Sequence, residues 1–143
     1  ILGQHVLKDA EKLKALEAIV HPLAGAAQMD FLLENERAGT KVVVLDIPLL
    51  LEGSGEKFVD SVVVVSAPYE LQRERVLARP GMSEERFADI LAKQVPDEEK
   101  RKRAEFIVDS SISIEDAHAQ VRAILSAVEG REGTAYAARQ ARS

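Results

Sequence analysis

The chain has 143 residues, with 19 Lys+Arg against 24 Asp+Glu and a formal net charge of −5, which speaks against a protein whose main task is gripping a nucleic-acid backbone. Its 46% hydrophobic and 30% charged residues describe an ordinary folded domain, or part of a larger one. There is no Cys, so disulfide frameworks, thiol catalysis and Cys-ligated zinc are excluded.

No apolar run approaches the ~20 residues that a membrane span needs, and no basic-then-apolar leader opens the sequence, so a cytoplasmic address is expected. Leu13, Leu16, Ile19 and Val20 form a helical stripe within Asp9 to Val20. His21-Pro22 predicts a break and a second helix from Pro22 to about Arg37, since Pro suits a first helical position. Ala38-Gly39-Thr40 predicts its end. Val42-Val43-Val44-Leu45-Asp46 then reads as a strand covered on both faces, the pattern of parallel α/β sheets, and Val62 to Val65 repeats it. Ser66-Ala67-Pro68 opens another helix. Residues 70–105 hold nine basic and nine acidic side chains, which predicts a solvated, mobile helical arm. Phe106 to Asp109 is a third, shorter strand, and Ser113 or Ile114 to Val128 an amphipathic helix. Residues 130–143 lack periodicity and read as a frayed tail.

In open parallel sheets, ligands bind outside the carboxyl ends of the strands. Two predicted strands end in an acid, Asp46 and Asp109. An apolar strand ending in Asp also describes the strand of P-loop enzymes whose carboxylate holds Mg²⁺ directly or through water, although Asp is common at strand ends because it favours turns. Gln72, Arg75 and Arg79, at helical spacing, make one face suited to phosphate; the competing reading pairs the arginines with Glu70 or Glu74. His21, directly before Pro22, either caps a helix or meets a ligand there. His5 and His118 have no second ligand at metal spacing, which argues against zinc. Lys100 to Arg103 follows Asp97 to Glu99, so it reads as one helix with internal ion pairs rather than a nucleic-acid patch. No G-x-x-x-x-G-K-[ST] loop occurs, and Gly53 to Lys57 reads as a surface turn.

Taken in order, Leu16 to Leu23 with its His-Pro-Leu, Val43 to Glu52 with its Asp-Ile-Pro-Leu-Leu, Glu70 to Arg75 with Arg79, Ile90 to Gln94, and Lys100 to Asp109 resemble the dephospho-CoA kinase family. The resemblance covers roughly residues 8–128. It implies an α/β, partial P-loop NTPase fold: a parallel-sheet core with a helical substrate-binding region and a lid. On that mapping residues 8–38 are the CoA-binding helical region, 42–66 and 106–128 the core, about 72–104 the lid with its flanking helices, and 130–143 the tail. It implies transfer of the ATP γ-phosphoryl to the 3′-hydroxyl of dephospho-CoA, with Mg²⁺, and neither nucleic acid nor membrane as partner. His21, Pro22 and Asp46 would fall at the substrate, with Asp46 also beside the metal through water. Arg75 and Arg79 would be catalytic and, with Lys100, would bind ATP; Gln94 would lie on the far side of the lid. The family's glycine-rich loop and the Asp resembling a general base are absent from these residues. The shortage of strands and the lack of an initiator Met point the same way, to the C-terminal two-thirds of one kinase domain that is inactive alone. Smaller departures are Glu105, where the family pattern reads Asp, and Ser110-Ser111, where it reads Asn-Gly. The alternatives are another kinase of the nucleoside-monophosphate-kinase kind and a non-catalytic piece that binds a CoA-like ligand.

Overall fold

Asp9 starts the first helix, its carboxylate accepting the amides of Glu11 and Lys12, both at 3.2 Å. In the computed structural model, which describes residues 9–53 and 55–140, α1 then runs unbroken over Ala10–Arg37. The break expected at His21-Pro22 does not occur. Pro22 lies inside the helix, where it removes one amide donor. Strong helix formers on both sides, rich in Ala, Leu and Glu, carry the helix through that defect. The expected end holds: Gly39 takes φ +69, its amide reaches Glu36 O at 3.0 Å, and Thr40 N reaches Asn35 O at 2.9 Å. That pair of bonds is the Schellman motif, which needs a residue free to adopt positive φ. The chain divides into two units between Val43 and Val44. α1 dominates the first and buries none of its side chains.

The second unit holds a two-stranded parallel sheet. β1 (Val63–Ser66) pairs with β2 (Phe106–Asp109), Val63 opposite Phe106 and Ser66 opposite Asp109. Parallel strands require a crossover. Three helices supply it: α2 (Tyr69–Leu77), α3 (Glu84–Ala92) and α4 (Asp97–Arg103). α5 (Ile114–Val128) follows β2 and packs on it, its first turn capped by the Ser113 hydroxyl on Asp116 N at 3.0 Å. The strand expected at Val42–Leu45 is corrected: that stretch has no ladder partner among the described residues, and Val44 is exposed. A β-branched run satisfies its backbone as a strand only beside another strand, and the sheet of the described residues consists of β1 and β2 alone. The reading of Val62 to Val65 as covered on both faces is likewise only half met. Val62 and Val64 pack with Leu51, Leu50, Val59 and Ala104 in the core. Val65 is 66% exposed, whereas its register partner Val108, on the strand that carries α5, is 3% exposed.

The charged span contains the expected helices, anchored by one apolar side chain. Phe87 of α3 is 4% exposed and meets the Tyr69 ring of α2 at 5.8 Å, while Arg73 of α2 pairs with Glu84 of α3. The tail reading is corrected as well. Residues Ala135–Gln140 form α6, which packs on the 3₁₀ turn Gly55–Phe58. Its start is capped from far along the chain: Asp60 Oδ1 accepts the amides of Thr134 at 2.6 Å and Ala135 at 2.8 Å. Gly133 allows that approach, since a Cβ there would stand 2.7 Å from Asp60 Oδ2. A cap supplied by a residue more than seventy positions away leaves no local periodic signal.

Candidate active site

β1 and β2 end side by side at Ser66 and Asp109, and the polar groups of the second unit gather at that edge. Ser110 folds back on β1, its amide donating to Ser66 O at 2.9 Å and its hydroxyl to the same oxygen at 3.1 Å. Arg75 reaches across from α2, donating from Nη2 to Ser110 O at 2.8 Å and from Nη1 to Ser110 Oγ at 3.2 Å. Gln120 of α5 grips Asp109 as a neighbouring strand would: its Oε1 accepts the Asp109 amide and its Nε2 donates to the Asp109 carbonyl, both at 2.9 Å. The Asp109 carboxyl is held below its ordinary value by Ser111, through its side-chain hydroxyl first and then its amide at 2.8 Å, with a smaller contribution from the Arg101 charge. From β1, the Ser66 hydroxyl donates to Asp97 Oδ2 at 2.8 Å and Oδ1 at 3.0 Å, and accepts from Arg101 Nη1 at 3.4 Å. The edge therefore presents guanidinium groups, serines and two carboxylates around the strand ends, a setting that can orient an anionic ligand.

Of the residues singled out from the sequence, the strand-ending Asp109 and Arg75 lie at this edge. Arg79 does not continue its helical face: α2 ends at Leu77, and Arg79 sits in the turn that follows. Pro80 disfavours helical backbone at the residue before it, and Gly81 takes φ +77. The Arg79 side chain is exposed and has no hydrogen-bond or ion-pair partner among the described residues. Pairing of these arginines with Glu70 or Glu74 does not occur; Arg73 is the residue that takes a carboxylate. Gln72 donates to Ala67 O at 2.6 Å and so fastens the first turn of α2. Asp46 lies exposed beyond the extended segment, not at the end of either strand. His21 and Pro22 are exposed on α1, in the other unit. Ser66, Asp97 and Arg101 were not singled out from the sequence. The four-residue spacing of Asp97 and Arg101 within the charged run, and a lone Ser closing a run of valines, were the available signals.

Lys100 is held in a clamp by residues outside this edge. Its Nζ contacts Glu52 Oε1 at 3.2 Å and donates to Gln94 Oε1 at 3.0 Å, while Val95 N donates to Glu52 Oε1 at 3.0 Å. Glu52 closes the turn that Leu49 makes at φ +58 after Pro48. Burial pushes the Glu52 carboxyl up, but the amides of Val95 and Glu52 and the Lys100 ammonium outweigh it and leave the pKa below the ordinary 4.5. A carboxyl lowered on folding stabilises the fold above its unfolded pKa, and that contribution is lost as pH falls through the folded value. Glu52→Gln accordingly lowers stability by about 1–3 kcal/mol at pH 7. The gap from the parent chain narrows as urea unfolding is repeated from pH 6 down to pH 3. A gap independent of pH contradicts the ion pair. Two further cations of α4 are held by carboxylates: Lys102 lies 3.1 Å from Glu98 and 2.8 Å from Glu99, as the paired charge runs predict, and Arg103 meets Glu56.

Among the described residues no group of three His, Asp or Glu could hold a metal ion, and no helix is long and apolar enough to cross a membrane. Compared with known proteins, the chain matches the family model described as dephospho-CoA kinase over residues 1–116. It is 56% identical over 133 residues to a dephospho-CoA kinase of Mesorhizobium japonicum, covering 93% of this chain and 68% of the relative. A dephospho-CoA kinase of Bradyrhizobium diazoefficiens is 54% identical over 127 residues, with 89% and 64% covered. Among solved structures, a Thermus thermophilus protein superposes with TM-score 0.73 at 39% identity, over 90% of this chain and 66% of its own. The dephospho-CoA kinase from Campylobacter jejuni gives TM-score 0.57 at 27% identity, over 91% and 63%. The chain thus spans about two-thirds of the length of the relatives it matches.

Proposed function

The chain belongs to the dephospho-CoA kinase family, and from that membership we propose that it forms the substrate, lid and distal-sheet part of an enzyme that phosphorylates dephospho-CoA with ATP. The single observation that carries the reading is the family match over residues 1–116. In the reaction, the ribose 3′-hydroxyl oxygen forms a bond to the γ-phosphorus, the bond to the β–γ bridging oxygen breaks, ADP leaves and the hydroxyl proton passes to a base. We place the glycine-rich ATP cradle and that base in the third of the family's length that this chain does not span. A strand from the same part would pair with Val42–Leu45, and helices from it would cover the open face of β1. The alternative assignments, another nucleotide kinase or a non-catalytic ligand-binding piece, have no separate observation in their favour.

Within this chain, Arg75 and Arg79 take the nucleotide phosphates. Phosphoryl transfer is mostly positioning and charge stabilisation, and planar guanidinium forks serve both. Arg79 is the freer of the two, since Arg75 already holds the Ser110 loop. Lys100, through Glu52 and Gln94, fixes α4 against the Asp-Ile-Pro-Leu-Leu segment and so serves ATP binding by shaping the lid's return. Asp46, exposed and free of ion pairs among the described residues, fits a carboxylate that holds Mg²⁺ through water, because that ion keeps most of its own water shell and needs few protein ligands. The ion, when bound, neutralises charge on the nucleotide's terminal phosphates.

His21 and Pro22 belong to the CoA side. In a family-length enzyme carrying this sequence, His21→Ala weakens dephospho-CoA binding about tenfold, of the order of one lost hydrogen bond, and leaves ATP binding within twofold. Calorimetric titration with each ligand tests this; equal losses for both assign His21 to folding. Titrating AMP beside dephospho-CoA tests the proposed function itself, since tighter binding of AMP would favour a nucleoside-monophosphate kinase.

A further inference from the structure

We infer that Arg101 is a third phosphate-binding guanidinium at the strand edge, and that Ser66 and Asp97 are the positioning residues that aim it. The inference rests on the kinase reading above and adds to it a residue that the sequence motifs do not mark. Four cations follow one another on α4 and three of them are held by carboxylates: Lys100 by Glu52, Lys102 by Glu98 and Glu99, and Arg103 by Glu56. Arg101 has no ion pair among the described residues, and its one hydrogen bond is the long 3.4 Å contact to the Ser66 hydroxyl. A guanidinium offers five donors, so most of this one remains available to a ligand. The contact it does make is weak enough to be exchanged for a phosphate oxygen.

Ser66 explains the aim. It closes β1 at 4% exposure and is the buried polar residue of the described core. A buried hydroxyl must be satisfied or it destabilises the fold, and here Asp97 accepts its proton at both carboxylate oxygens. Donation to a carboxylate enriches the hydroxyl oxygen as an acceptor, which favours the contact from Arg101. Asp97 and Arg101 stand one helical turn apart on α4, so the Ser66–Asp97 bonds fix the helix against the end of β1 and keep the guanidinium beside it. Asp109, ending the adjacent strand, feels the Arg101 charge. Arg75 reaches the same edge from α2 through Ser110. Two guanidiniums from two helices thus flank the carboxyl ends of a parallel sheet, where phosphate-bearing ligands bind.

Both proposed substrates carry linked phosphates, and steady-state kinetics distinguish them. In a family-length enzyme carrying this sequence, Arg101→Gln raises KM about tenfold for the substrate whose phosphates it meets, ATP or dephospho-CoA, and leaves the other within twofold. Arg101→Lys recovers part of that loss, because the charge returns without the planar fork. Asp97→Asn raises the same KM by a smaller factor, about threefold. Added to Arg101→Gln it changes that KM no further, as expected of a residue that acts through Arg101. An increase confined to ATP assigns the triphosphate, one confined to dephospho-CoA assigns its diphosphate, and either supports the inference. An enzyme that turns over normally with both KM values unchanged in Arg101→Gln overturns it. Independent, multiplying effects of Asp97→Asn and Arg101→Gln overturn the positioning role. If the parent enzyme fails to phosphorylate dephospho-CoA, the kinase reading itself falls and this inference falls with it.

Discussion

Arg79→Ala, in a family-length enzyme carrying this sequence, lowers kcat by about 10²-fold or more, equivalent to about 2.7 kcal/mol of transition-state stabilisation. The expectation comes from what Arg79 does not do. It lies past the end of α2, in a turn set by Pro80 and Gly81, with an exposed guanidinium that no described residue engages. A side chain whose donors are all available can follow charge as it redistributes on the transferring phosphoryl group. Arg75 is tied to Ser110 by two donors, so its removal falls more on ATP binding and on the order of the Ser110 loop. Arg79→Lys restores part of kcat, because it keeps the charge and loses the fork. Pre-steady-state measurement of the chemical step decides the matter. An unchanged rate in Arg79→Ala, with its melting curve also unchanged, makes this arginine ordinary surface charge.

Phe87→Ala removes about 3 kcal/mol of stability from the chain, in the range expected for a buried aromatic truncated to a methyl group. Phe87 is the buried side chain of α3, and its contact with Tyr69 joins α3 to α2. The half-exposed Arg73–Glu84 pair also ties those helices, and such pairs contribute about 1 kcal/mol or less. Phe87→Leu, which keeps most of the apolar volume, recovers more than half of that loss. Urea titration followed by circular dichroism reads both variants. A loss below about 1 kcal/mol for Phe87→Ala would mean that the two helices are held by their connection rather than by this contact.

Where the sequence was legible, the signal was local. Phe106–Asp109 and the helix to Val128 stand where their patterns place them, because a short apolar run and a Ser113 cap depend on neighbours a few residues away. Gly39 ends α1 for the same reason. Pro22 misled, because a proline signals a helix start by its own geometry and its neighbours' propensities decide whether the helix continues. Val42–Leu45 carries strand residues and no strand partner among the described residues. α6 depends on a carboxylate from Asp60, and the Ser66–Asp97 bond joins residues 31 positions apart. Such contacts are products of the fold and have no periodicity. At the site, Arg75 was legible from spacing, whereas the separation of Arg79 from its helix and the occupation of Lys100 by Glu52 required the backbone path.

The account turns on one transfer. A family-length enzyme carrying this sequence, given ATP labelled in its γ-phosphate, Mg²⁺ and dephospho-CoA, is expected to place the label on the 3′-oxygen of the acceptor ribose. The product would be CoA, formed at ordinary enzyme rates of about 1–100 per second, with AMP a far poorer acceptor. Label transferred preferentially to AMP, or no label transferred to dephospho-CoA by the folded, family-length enzyme, would contradict the account.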